Sequence, residues 1–265
     1  MRELWNFRTD RPRCTDVSSP FRRAQAVTAL AAVTALLALP ACTPESLPTS
    51  PPSQLPSSSV TSSPDASDTR GRLAAGLQGS SPVNARLVSD PKTTLTPVEA
   101  SWLPGWQILD VQNQTPPHPR RVFAALSDAG EAVVLTGQPD AFSSMLKQAG
   151  VSVSSADVAE QVAAVFLDST RTFSTLSYRI DDADDIRWLP TLTAEQQKAR
   201  DAVISSYGDR IAPPEAEQSS SGWTVEVWTI SGADLVRHET TVGTDGTVTD
   251  KTETVATALP VPASR

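Results

Sequence analysis

The stretch Trp223-Thr224-Val225-Glu226-Val227-Trp228 alternates positions with the two-residue period of a half-buried strand. Ser231-Gly232 can turn the chain into a second run over 235–242, and Asp245-Gly246 into a third over 247–256. Three consecutive antiparallel strands, with helical patterns upstream of them, predict an α+β fold rather than a parallel α/β sheet. The expectation is an antiparallel sheet that includes a C-terminal three-strand meander and is packed by about three helices.

Working back from the meander, residues 105–111 and 121–126 read as strands. Asp128-Ala129-Gly130 is a turn into the apolar run 131–135, so 121–135 reads as a hairpin. Pro139 suits a first helical turn, Phe142, Met145 and Leu146 share one face, and Gly150 stops the helix near residue 148. Ser154 with Asp157 resembles a capping box ahead of Val158, Val162, Val165 and Phe166, which recur at helical spacing. Residues 173–180 read as a strand. Thr193 with Gln196 opens a further helix whose apolar positions are Ala199, Val203, Tyr207 and Ile211. Residues 82–97 carry mixed signals and are expected to be an irregular lead-in.

The other end of the chain has a different character. Phe21-Arg22-Arg23 precedes an apolar run over 24–41 that stops at Cys42, the basic, apolar and small-residue order of an export signal. Leu39-Pro40-Ala41-Cys42 resembles the lipobox of bacterial lipoproteins, with Pro40 departing from the small or aliphatic residue usual there. That resemblance implies cleavage before Cys42 and acylation of its thiol, hence a lipid anchor at the extracytoplasmic face of the cell membrane. From 43 to 68, 18 of 26 residues are Ser, Thr or Pro, a composition that buries too little surface to offset ordering entropy. The expected organisation is an extension and signal peptide over 1–41, a disordered linker over 42–81 and a single α+β domain over 82–265. About 40 linker residues reach roughly 35 Å as a coil and roughly 120 Å fully extended.

Charge narrows the function. The chain carries a net charge of −8. Without residues 1–41 it keeps 16 basic against 27 acidic residues, a net charge of −11. Nucleic-acid binding rests largely on Lys and Arg contacts to phosphate and is not expected. Cys14 and Cys42 are the two cysteines, so a chain cut before Cys42 has no internal disulfide to stabilise it.

Chemical signatures are sparse. Asp181, Asp182, Asp184 and Asp185 could offer oxygens to calcium, but they lack the EF-hand spacing and its glycine and read as a solvated loop. Ser144-Met145-Leu146-Lys147 matches the S-x-x-K pattern of penicillin-binding proteins without its companion motifs. His118 lies in a proline-rich loop and His238 in a strand, too few ligands for zinc. Trp102 and Trp106 bracket Leu103-Pro104-Gly105 and offer either core plugs or an aromatic platform for a glycan or partner, and Trp188 and Trp228 read as core. The expectation is therefore a non-enzymatic envelope lipoprotein without cofactor, a binding module for an envelope protein, glycan or small ligand. The alternative is a wall- or glycan-directed hydrolase using paired carboxylates. Cys42 is the one residue given a specific chemical role. Mass spectrometry of the membrane fraction is expected to find a mature chain beginning at an acylated Cys42. Replacing it, Cys42→Ala, is expected to move the protein to the soluble fraction.

Overall fold

Ile108-Leu109-Asp110-Val111 and Val122-Phe123-Ala124-Ala125-Leu126 are nearly continuous apolar runs. Strands of that kind need cover on both faces. The computed structural model describes residues 66–262 and supplies that cover. Its elements are α1 (Ala66–Leu77), α2 (Pro82–Ser89), β1 (Thr93–Pro97), β2 (Trp106–Asn113), β3 (Arg120–Ser127), β4 (Ala132–Val134), α3 (Pro139–Gln148) and α4 (Ala156–Thr170). They continue as β5 (Ser177–Ile180), α5 (Ala194–Tyr207), β6 (Glu215–Ser219), β7 (Gly222–Ser231), β8 (Asp234–Gly243) and β9 (Val248–Ala256). The fold is α+β. One antiparallel sheet has the order β1-β2-β3-β4, the other β5-β7-β8-β9 with β6 also paired to β7. The C-terminal meander is β7-β8-β9, and β9 is an edge strand.

Three buried clusters hold these elements. Ile108, Phe123 and Ala125 of the first sheet share a core with Phe142 and Leu146 of α3, Val162 and Phe166 of α4, and Val225, Val227, Val242 and Val248 of the second sheet. Phe142 and Phe166 meet edge to face at 5.4 Å. The opposite side of the first sheet, Leu109, Val111, Ala124 and Leu126, packs with Leu73 and Leu77 of α1 and with Leu87 and Val88 of α2. The opposite side of the second sheet, Trp228, Ile230 and Leu235, is covered by Val203 of α5, Ile211 and the tail residues Leu259 and Val261.

Several boundaries differ from expectation. Helix α1 lies within the stretch expected to be linker, and α2 and β1 occupy the expected lead-in. There are five α-helices among the described residues, not about three. The cause is the second face of β2 and β3: Leu73 and Leu77, one turn apart and both fully buried, suffice to dock a helix of otherwise weak apolar character. Each contributes about 1.5–3 kcal/mol by burial. Arg70 then ties α1 to the α2–β1 corner, donating to the carbonyls of Val88 at 2.6 Å, Asp90 at 3.1 Å and Thr93 at 2.6 Å.

Smaller differences follow local chemistry. The N-cap of α4 is Ser155, whose hydroxyl accepts from the Val158 N–H, rather than Ser154. Strand β5 is shorter than the expected 173–180 because Phe173 instead stacks on Phe123 at 6.0 Å. Strand β6, polar and exposed, had no apolar alternation to reveal it. The Thr193–Gln196 capping box is present as expected, although Ala199 is exposed. Residues 1–41 and Cys42 lie outside the described residues.

At the β8–β9 turn, the Thr247 N–H and then its hydroxyl hold the Asp245 carboxyl below the usual aspartate range. A depressed carboxyl stabilises the fold above its unfolded pKa and loses that contribution as pH falls through its folded value.

The two glycines of α1 test this packing in opposite directions. A Cβ on Gly71 meets nothing within 4 Å, whereas one on Gly76 falls 2.6 Å from the Gly130 carbonyl oxygen and 2.7 Å from Ala132 Cβ. Gly71→Ala is expected to stabilise the protein by up to about 1 kcal/mol through helix propensity. Gly76→Ala is expected to destabilise it by about 1–3 kcal/mol through overpacking. Urea denaturation of the two variants checks both signs.

Candidate functional site

The site starts from a turn. Gly105 adopts φ +68°, a conformation suited to glycine, and its carbonyl accepts the Asp128 N–H at 2.9 Å. This links the start of β2 to the β3–β4 turn. Ser127 fixes that turn twice: its N–H donates to the Glu131 carbonyl at 2.8 Å, and its Oγ accepts the Glu131 N–H at 2.9 Å. Trp106, paired with Ser127 across the strands, is thereby held beside Asp128 and Glu131. Helix α3 ends at Gln148 against the same region.

Two adjoining hollows result. One, of about 490 Å³, is lined by Trp106, Asp128, Glu131 and Gln148 among others. The other, of about 250 Å³, is lined by Trp106, Glu131, Ser144 and Gln148 with the apolar Val133 and Met145. Trp106, Glu131 and Gln148 belong to both, so the hollows form one groove with a half-buried indole at its centre. Its polar side chains include two carboxylates, an amide and the hydroxyls of Ser127 and Ser144, which suits hydrogen bonding to a neutral, hydroxyl-rich ligand.

The residues singled out in the sequence are dispersed. Trp102, like Trp106, packs against the main core, and it lines neither hollow. Trp228 is buried and Trp188 packs against its cluster. Ser144 Oγ donates to the Asp140 carbonyl at 2.8 Å, so the hydroxyl of the S-x-x-K match is bound back to its own helix. Three of the four carboxylates in the acidic loop are engaged locally: Asp182 accepts from the Asp184 N–H, Asp185 accepts from the N–H groups of Asp181 and Asp182, and Asp181 pairs with Arg179 at 3.2 Å. Among the described residues, no group of three or more His, Cys, Asp or Glu side chains could hold a metal ion. His118 is exposed in the β2–β3 loop.

His238 lies in a chain of polar contacts invisible in the sequence. Its Nε2 is 3.0 Å from Thr229 Oγ1 of β7, and its Nδ1 is 2.8 Å from Asp250 Oδ2 of β9. The Thr240 hydroxyl donates to Asp250 Oδ1 at 3.0 Å. A carboxylate only accepts, so Nδ1–H donates to Asp250; in the neutral imidazole Nε2 then accepts the Thr229 hydroxyl. The order hydroxyl, imidazole, carboxylate matches a nucleophilic relay. Thr229 is only 6% exposed, however, and neither hollow described above reaches it. The chain instead locks three strands of the meander together. Thr240→Val, which removes a buried donor to a carboxylate, is expected to cost about 1.5–3 kcal/mol. A double-mutant cycle with Asp250→Asn, read by urea denaturation, is expected to be non-additive by at least about 0.5 kcal/mol.

Compared with protein-family models, with curated proteins and with solved structures, the chain matches none.

Proposed function

We propose that the protein is a membrane-anchored envelope lipoprotein whose folded unit is a glycan-binding module, with the Trp106 groove as its binding face. The observation that carries this reading is Trp106, an indole that packs on the core and also lines both hollows beside Gln148, Glu131 and Asp128. A sugar ring has an apolar C–H face and a rim of hydroxyls. An aromatic face complements the first, and the amide and carboxylates complement the second. The lipid on Cys42 and the Ser/Thr/Pro-rich run ahead of α1 keep the groove near envelope glycans.

Asp128 and Glu131 on one groove also favour a second reading, glycoside hydrolysis by paired carboxylates. Calorimetric titration of the full chain with chitotetraose, an N-acetylated glycan probe, addresses both. Trp106→Ala is expected to weaken binding at least about tenfold, equivalent to about 1.4 kcal/mol, and an unchanged affinity removes the glycan reading. Release of new reducing ends by the wild type, lost in Glu131→Gln while binding persists, selects the hydrolase. Binding without release selects the module.

A further inference from the structure

A second cleft, sharing no residue with the Trp106 groove, opens at the far end of the β2–β3 hairpin. It measures about 500 Å³ and is lined by Val83, Arg86 and Leu87 of α2, Asp90, Asn113 at the end of β2, residues 115–118 of the β2–β3 loop, and Arg120 at the start of β3. Its chemistry differs from that of the Trp106 groove. In a chain of net charge −8, two guanidinium groups and an imidazole line one hollow, with apolar surface from Val83, Leu87, Pro116 and Pro117 around them.

The single carboxylate there is already engaged. Asp90 Oδ1 accepts the Lys92 N–H at 2.9 Å and Oδ2 accepts Asn113 Nδ2 at 3.0 Å. Arg86 uses Nε alone, donating to the Pro82 carbonyl at 3.3 Å. Arg120 stands apart from every other described arginine. Arg70, Arg72, Arg86, Arg121, Arg179, Arg200 and Arg237 make hydrogen bonds or ion pairs, Arg187 and Arg210 lie over aromatic rings, and Arg171 bonds the Ser177 carbonyl. The Arg120 side chain has no hydrogen bond, ion pair or ring contact among the described residues.

The walls are fixed before any ligand arrives. Thr93 Oγ1 donates to the Leu87 carbonyl at 2.6 Å, Asn113 Nδ2 reaches Thr93 Oγ1 at 3.1 Å, and Asn113 Oδ1 accepts the Thr115 N–H at 2.9 Å. Side-chain ordering cost on binding is therefore confined largely to Arg86, Arg120 and His118.

We propose that this cleft binds a phosphoryl group attached to an apolar moiety. Arg86 and Arg120 hold the phosphoryl oxygens through their forked N–H donors, His118 adds a ring donor, and the valine, leucine and proline surface covers the apolar part. A phosphate monoester in solution and the headgroup of an anionic lipid share this chemistry.

The test uses the full chain carrying Cys42→Ser, so that no acyl chain contributes. In calorimetric titration, phenyl phosphate is expected to bind saturably and more tightly than inorganic phosphate. Arg120→Gln is expected to weaken it at least about tenfold with an unchanged Tm, and affinity is expected to fall as salt rises. Absence of saturable binding to either probe, or an Arg120→Gln variant that binds phenyl phosphate like the wild type, overturns the proposal. Flotation with phosphatidylcholine vesicles, with and without phosphatidic acid, separates the sources. Arg120-dependent capture by the acidic vesicles alone assigns a lipid headgroup, and phenyl phosphate binding without such capture assigns a soluble phosphate ester.

Discussion

Burial of both faces of the central strands is the constraint on which the other elements depend. Ile108 and Leu109 are successive residues of one strand, point to opposite sides and are both excluded from water. A strand of that composition cannot remain at a solvent-facing sheet surface, so α3 and α4 are needed on one side and α1 and α2 on the other. The same holds for Val227 and Trp228 of β7. There the tail residues Leu259 and Val261 complete the third cluster. The order of helices and sheets follows from finding partners for these four surfaces.

That constraint also explains what could be read from the amino acids alone. The meander, the β3–β4 hairpin and α3 were legible because period and turn residues agreed over each of them. Helix α1 was not, because it carries two glycines and only Leu73 and Leu77 as deeply buried apolar anchors, and it follows a Ser/Thr/Pro-rich run. Its existence follows from the doubly apolar strands it covers, a tertiary demand rather than a local one. For the candidate site, Trp106 was visible as an aromatic beside a glycine turn. Glu131 and Gln148 were not, since a hairpin turn and a helix end bring them to the indole from distant positions. The Thr229–His238–Asp250 contacts were hidden for the same reason, as each residue comes from a different strand.

The two clefts stand in a simple relation to one another. Trp106 pairs with Ser127 at one end of the β2–β3 hairpin, and Asn113 pairs with Arg120 at the other. Seven residue steps of extended chain separate the ends, about 23 Å. One hairpin, clamped by helices on both faces, thus presents the Trp106 groove and the basic cleft at a fixed separation. A molecule with a saccharide at one end and a phosphoryl group at the other could bridge both only if its length matched that spacing.

The exposed edge strand β9 has a bearing on crowding. Residues 249–254 are exposed along its length, and a bare edge of that kind invites another chain to zip onto it. Asp250, Lys251 and Glu253 interrupt this edge with charge, and Arg237 holds Glu253 at 2.6 Å. Wherever copies of the chain meet at high concentration, such an edge resists unintended strand exchange. The fold therefore carries its own safeguard against edge-to-edge aggregation.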